Sequence, residues 1–185
     1  MLVRSPREVF MLRRAATMAF VPEAVVFPGG GVDPADDGAR CSWIGPDEEV
    51  WARRMGTSAD VARRVVTAAA RELFEECGVL LAGDERGVCS LDASEPAWAE
   101  ERRRLVSHET SLADVLKRHG LALRADLLGL RSHWLTPEFE PRRYDTYFFA
   151  ALAPTGQEPD SRTSEADRAG WVDPQGMFDR AAQGL

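Results

Sequence analysis

Cysteine is scarce in this chain, with Cys41, Cys77 and Cys89 as the full set. An odd count with no C-x-x-C spacing excludes a disulfide framework and a thiolate zinc or redox site, and it fits a reducing cytoplasm in which the three act as packing residues. Long apolar runs are missing too. No stretch approaches eighteen residues and the N-terminus lacks a signal-peptide core, so no membrane span is expected. Positive charge is in deficit, 23 Lys and Arg against 30 Asp and Glu, for a net −7. That balance gives no footprint for a nucleic acid duplex, although local arginines could still hold the phosphates of a free nucleotide. The three glycines at Gly29–Gly31 are not followed by Lys-Ser/Thr, which excludes a P-loop. Repeats and low-complexity tracts are absent, and the ending Gly184-Leu185 is not an S-K-L type address.

Acid is abundant where it costs most. Arg71-Glu72-Leu73-Phe74-Glu75-Glu76-Cys77-Gly78-Val79 carries three carboxylates within five residues and stops at a glycine. Val66, Ala69, Ala70, Leu73 and Cys77 form a helical stripe, so residues 58–77 read as one helix, capped by Ser58 and ended by Gly78. Glu72, Glu75 and Glu76 then share an arc of about 100° away from that stripe. The last turn is the negative end of the helix dipole, so the cluster should cost about 1–2 kcal/mol unless something positive sits on it. A hard divalent cation, Mg²⁺ or Mn²⁺, suits carboxylate oxygens one turn apart; a solvated acidic face is the bland alternative.

The 185 residues fit one domain with a sizeable core. Val9–Leu12 and Val25–Phe27 read as strands, residues 37–57 as a polar insertion with a helical patch near 48–54, and Val79–Leu81 as the start of another strand. Two helical patterns follow within residues 95–119, either a lid or a packed pair. Strands are expected at 127–135 and 144–152, a polar loop at 158–168, a short strand at Trp171-Val172, and a helix opened by Pro174. Strands mixed with a long central helix suggest an α/β/α sandwich with a mixed sheet.

Arg71 to Val79 matches the second half of the Nudix box, R-E-U-x-E-E-x-G-U, and Pro28 to Asp36 resembles its first half. The chain therefore resembles the Nudix hydrolases, whose fold is that same sandwich. Asp36 stands where the family usually has glutamate, and about 34 residues separate it from Arg71 where the standard box has seven. That insertion, with Leu12-Arg13-Arg14, Trp134-x-Thr136-Pro137 and Arg143 to Phe149, is similar to the branch that includes the peroxisomal coenzyme A diphosphatases.

The resemblance implies a metal-dependent hydrolase of a nucleoside diphosphate linked to another group, coenzyme A or a derivative, with ADP-ribose or NADH as other substrates and a non-catalytic ligand sensor as the competing class. It implies Mg²⁺ or Mn²⁺ on Glu72 and Glu76, with Glu75 a further ligand or water-orienting group and the Gly29 carbonyl a weaker one. Arg71 would pair with a box carboxylate, and Glu165, six residues before Trp171, matches the placement of a general base. Arg143 and Asp145 are candidates for substrate contact or for a strand-edge salt bridge. Arg13 and Arg14 either reach a phosphate or flank a strand. Relatives usually carry an extra strand before the Arg-Arg run and a longer final helix, so either a partner subunit in a homodimer completes the sheet or stability and activity are compromised.

Overall fold

The computed structural model describes residues 1–4, 7–17, 23–38, 41–163 and 166–183. In chain order the first half comprises β1 (Leu2–Arg4), β2 (Glu8–Arg14), β3 (Val25–Val26), α1 (Ala35–Gly38), β4 (Trp43–Ile44), α2 (Glu48–Met55) and α3 (Ala59–Cys77). The second half comprises β5 (Ala82–Asp84), β6 (Gly87–Val88), α4 (Pro96–Val106), α5 (Leu112–Arg118), β7 (Ala122–Arg124), β8 (Leu128–Leu135), β9 (Asp145–Leu152), β10 (Ala166–Val172) and α6 (Pro174–Ala182).

Six strands form one sheet in the order β10-β2-β1-β9-β8, with β3 paired to β2 beyond the end of β1. β1 runs antiparallel to β2 and parallel to β9, so the sheet is mixed, within the α/β architecture expected from the sequence. A smaller sheet has the order β4-β7-β5-β6. The strand expected from a partner subunit is β1 itself, with Leu2 fully buried between β2 and β9. Three residues are too few to show a period.

The long helix α3 forms as its local signals dictate. Ser58 Oγ accepts from Val61 N–H at 3.3 Å, and Gly78 takes the left-handed conformation (φ 71°) while donating to the Phe74 carbonyl. Its apolar stripe, from Ala62 through Val66, Ala70 and Leu73 to Cys77, is buried. The insertion after the first half-box is no plain loop. Its helix α2 lies against α3 and buries Trp51 edge-on to Phe149 of β9, with centroids 5.8 Å apart.

Val79–Leu81 is buried but is not a strand, since β5 begins at Ala82. The Gln157 amide takes the place of a neighbouring strand there. It accepts from Leu80 N–H at 2.8 Å and donates to Leu80 O at 3.0 Å. The expected polar loop at 158–168 also ends early, because β10 starts at Ala166, pairs with β2 through a bulge, and brings Trp171 against Phe10 at 5.4 Å. Among the described residues no helix is long and apolar enough to cross a membrane.

Candidate functional site

The last two turns of α3 face the glycine loop that follows β3, and Arg71 joins the two. Its guanidinium makes five hydrogen bonds: two to Asp36 (3.0 and 3.1 Å), one each to Glu72 (3.0 Å) and Glu75 (2.9 Å), and one to the Gly31 carbonyl (2.8 Å). Asp36 is thus the fork-shaped partner that fixes the Arg71 plane, and the shorter acid is accommodated by bidentate pairing. Burial works against the charge on Arg71, but Asp36, Glu72 and Glu75 outweigh it and hold its pKa above the ordinary value. Burial also pushes the Glu75 carboxyl up, with Arg71 pulling it part-way back. Glu75 Oε1 is buried with no hydrogen-bond partner among the described residues.

Glu76 accepts from Gly29 N–H at 2.6 Å, so the loop is tied to the helix end at a second point. Gly30 passes so close to α3 that a Cβ there would lie 2.5 Å from Glu72 Oε1, so any side chain at this position would have to displace the Glu72 carboxylate. The acidic arc is therefore turned into the loop rather than into solvent, and the cation resting on it is Arg71.

A second arginine holds the helix from behind. Arg102 of α4, almost fully buried, donates to the Glu75 carbonyl at 2.8 Å and to Asp160 at 2.7 Å, while Asp160 N–H donates to the Cys77 carbonyl. The carbonyls that a helix end leaves without intrahelical partners are thus bonded, and a positive charge sits at the negative end of the dipole. The residues 95–119 are a packed helical pair: Glu101 of α4 bonds Arg118 and His119, and Trp98 stacks on His119 at 4.1 Å. His108, between the helices, reaches Asp33 of the glycine loop at 3.1 Å.

In front of the carboxylates lies a cleft of about 760 Å³, bounded by Arg14, Phe27, Gly29–Gly31, Glu72 and Tyr144–Phe149. Arg14 has a buried Nε without a partner among the described residues. Arg13 does not border the cleft and pairs with Glu23 and Asp167 instead. This follows from strand alternation, which sends neighbouring side chains to opposite faces. Asp145 borders the cleft and contacts His133, whose ring lies flat on Tyr147 at 4.0 Å. Arg143 is spent on the Thr136 carbonyl of the β8–β9 turn, away from the cleft. Glu165 lies outside the described residues.

The donor set of Glu72, Glu75, Glu76 and the Gly29 carbonyl is made of hard oxygen atoms, the chemistry a Mg²⁺-type ion takes, and the unpartnered Glu75 oxygen is a spare donor. As the side chains stand, no three acids among the described residues converge on one point, so gathering them round an ion takes side-chain rotation.

One arginine locks the acid-rich helix end to the glycine loop beside the mixed sheet. No family model matches the chain. It is 30% identical over 181 residues to the Caenorhabditis elegans protein named "Putative nudix hydrolase 7", covering 98% of this chain and 52% of that protein. The chain thus spans about half the length of this curated relative. The crystal structure of a NUDIX hydrolase from Alicyclobacillus acidocaldarius superposes with a TM-score of 0.76 at 28% identity, over 99% of this chain and 80% of that one. The second likeness shows that the chain has the Nudix fold, and both similar proteins are named as Nudix hydrolases.

Proposed function

We propose that this protein is a metal-dependent hydrolase that cuts the diphosphate bond of a nucleoside diphosphate linked to a second group, coenzyme A or a derivative. The observation that carries this reading is the Arg71-centred web, which gathers Glu72, Glu75 and the glycine loop beside a cleft. In this reading Glu72 and Glu76 hold a Mg²⁺ or Mn²⁺ ion, with Glu75 and the Gly29 carbonyl as further donors. The ion would neutralise the diphosphate oxygens and lower the pKa of the attacking water. Arg71 fixes the rotamers of Glu72 and Glu75 so that little reorganisation is left for the reaction. Arg14 offers its guanidinium to a phosphate from the cleft wall, and Asp145 contacts the organic part of the substrate. Glu165 is assigned as the general base. The bidentate Asp36–Arg71 pair weakens the case for a non-catalytic sensor, because the one substituted box acid still anchors the arginine. The three cysteines form no disulfide among the described residues, in keeping with a cytoplasmic enzyme.

Purified protein incubated with Mn²⁺ and a panel of coenzyme A, ADP-ribose and NADH in ¹⁸O water is expected to release two monophosphate products, one labelled. Glu76→Gln should lower the rate at least about a hundredfold with the fold retained. A folded wild-type protein that cleaves none of the panel would refute the proposal.

A further inference from the structure

The strand β9 loses a neighbour part-way along. Its C-terminal end is paired on both edges, with β8 and with β1 through Leu2↔Ala151 and Val3↔Leu152. There the odd-numbered backbone groups face β1: Ala151 N–H donates to Met1 O, Ala153 N–H to Val3 O, and the Met1 amine to Phe149 O. The even-numbered groups face β8, as the bond from Thr136 N–H to Tyr144 O marks. Backbone direction alternates with every residue of a strand, so the N–H and C=O of Asp145 and Tyr147 also point away from β8.

Among the described residues no strand meets them. β3, which lies on that side of β2, bonds only to β2 through Leu12↔Val26 and Arg13↔Val25. Asp145 and Tyr147 instead border the cleft that Glu72 and the glycine loop enclose. An open strand edge is ordinarily blunted by proline, lysine or a bulge. From Asp145 to Phe148 this edge has no proline or lysine, and β9 contributes one residue to each successive pair with β8. His133, stacked on Tyr147 and in contact with Asp145, braces both side chains on one face.

A regular edge with two donor and acceptor pairs about 6.8 Å apart is complementary to an extended chain bearing amides. We infer that the cleft-facing edge of β9 binds an amide-bearing arm of the substrate, laid along Asp145–Tyr147 as an added strand, with the diphosphate at the carboxylates. The inference rests on the diphosphatase reading and narrows it. The group beyond the diphosphate is an extended amide chain rather than a sugar.

Dephospho-coenzyme A and ADP-ribose make a matched pair, since both contain an adenosine diphosphate and only the first carries amides in the other arm. Tyr147→Pro deletes one cleft-facing N–H without breaking a bond to β8, whereas Tyr147→Ala removes only the ring. The full chain with Mn²⁺ should prefer dephospho-coenzyme A in kcat/KM. That preference should be about five- to tenfold smaller in Tyr147→Pro than in Tyr147→Ala, the worth of one backbone hydrogen bond. On the wild type, N-methylating both substrate amides should raise KM by at least as much, a measurement that needs no folded proline variant. Equal preference in the two variants, or no effect of N-methylation, overturns the inference and leaves the diphosphatase reading standing. Cleavage of neither substrate by folded wild-type protein overturns both.

Discussion

Replacing Arg71 by methionine keeps the length and apolar stem of the side chain and removes the cation on which the acidic arc rests. The Arg71 side chain is 6% exposed and its Asp36 partner 1%, against 13% and 12% for Glu72 and Glu75. The two glutamates can turn toward the cleft and recover water, but Asp36 cannot, so the loss is set by one stranded carboxylate. Breaking a buried pair from one side costs about 3–5 kcal/mol, and the lower end applies because two of the three acids can relax. For a chain of this size about 3 kcal/mol is a fall in Tm of about 6–12 °C. The pH dependence has a definite sign. Glu75 already has its pKa raised by burial, and Arg71 is the main group that lowers it, with a smaller contribution from His108. A carboxyl with a raised folded-state pKa contributes most below its unfolded value and loses that contribution as pH climbs through the folded one. Without Arg71 the folded value rises further, so the gap between variant and wild type should be widest at pH 8 and narrow toward pH 5. Thermal unfolding of both proteins in metal-free buffer at pH 5, 6.5 and 8 measures it. A gap under about 2 °C, or one that widens in acid, would refute the account of Arg71 as the internal counter-charge.

Gly30→Ala places a Cβ 2.5 Å from Glu72 Oε1, the far end of a flexible side chain, so the carboxylate should move and the fold should hold. Calorimetric affinity for Mn²⁺ should drop about tenfold, as for a displaced ligand support, while Tm changes by less than about 3 °C. Arg102→Met frees the Glu75 carbonyl and Asp160 at the end of α3 and should cost about 2–3 kcal/mol in urea unfolding. Arg103→Met, which breaks only exposed pairs with Glu100 and Glu109, should leave the urea midpoint where it is.

How much of this was legible follows from how local each cause is. α3 was readable because its stripe, its Ser58 cap and its Gly78 stop all lie within its own sequence. The glycine loop and the acids were readable as two halves of a pattern, but the bond that makes them one site, Arg71 to Asp36, spans 35 residues, and composition says nothing of it. Val79–Leu81 misled because its partner is a single amide, Gln157, 77 residues on from Leu80. The insertion hid a core helix whose Trp51, Ala52 and Met55 are spaced to share one face, a signal outweighed by the proline, glycine and aspartate around it. Arg102 is the sharpest case. Arg102, Arg103 and Arg104 look alike in sequence, and only the helical angle separates them: Arg102 shares a face with Trp98 and Leu105, whereas Arg103 points outward. An arginine on an apolar stripe has to find an acceptor inside the protein or forfeit its hydration. Here the acceptor is the end of α3, where the chain has concentrated its acids. The helical pair of residues 95–119 thus supplies, from behind, the second positive charge that the helix end requires while its front is turned to the cleft.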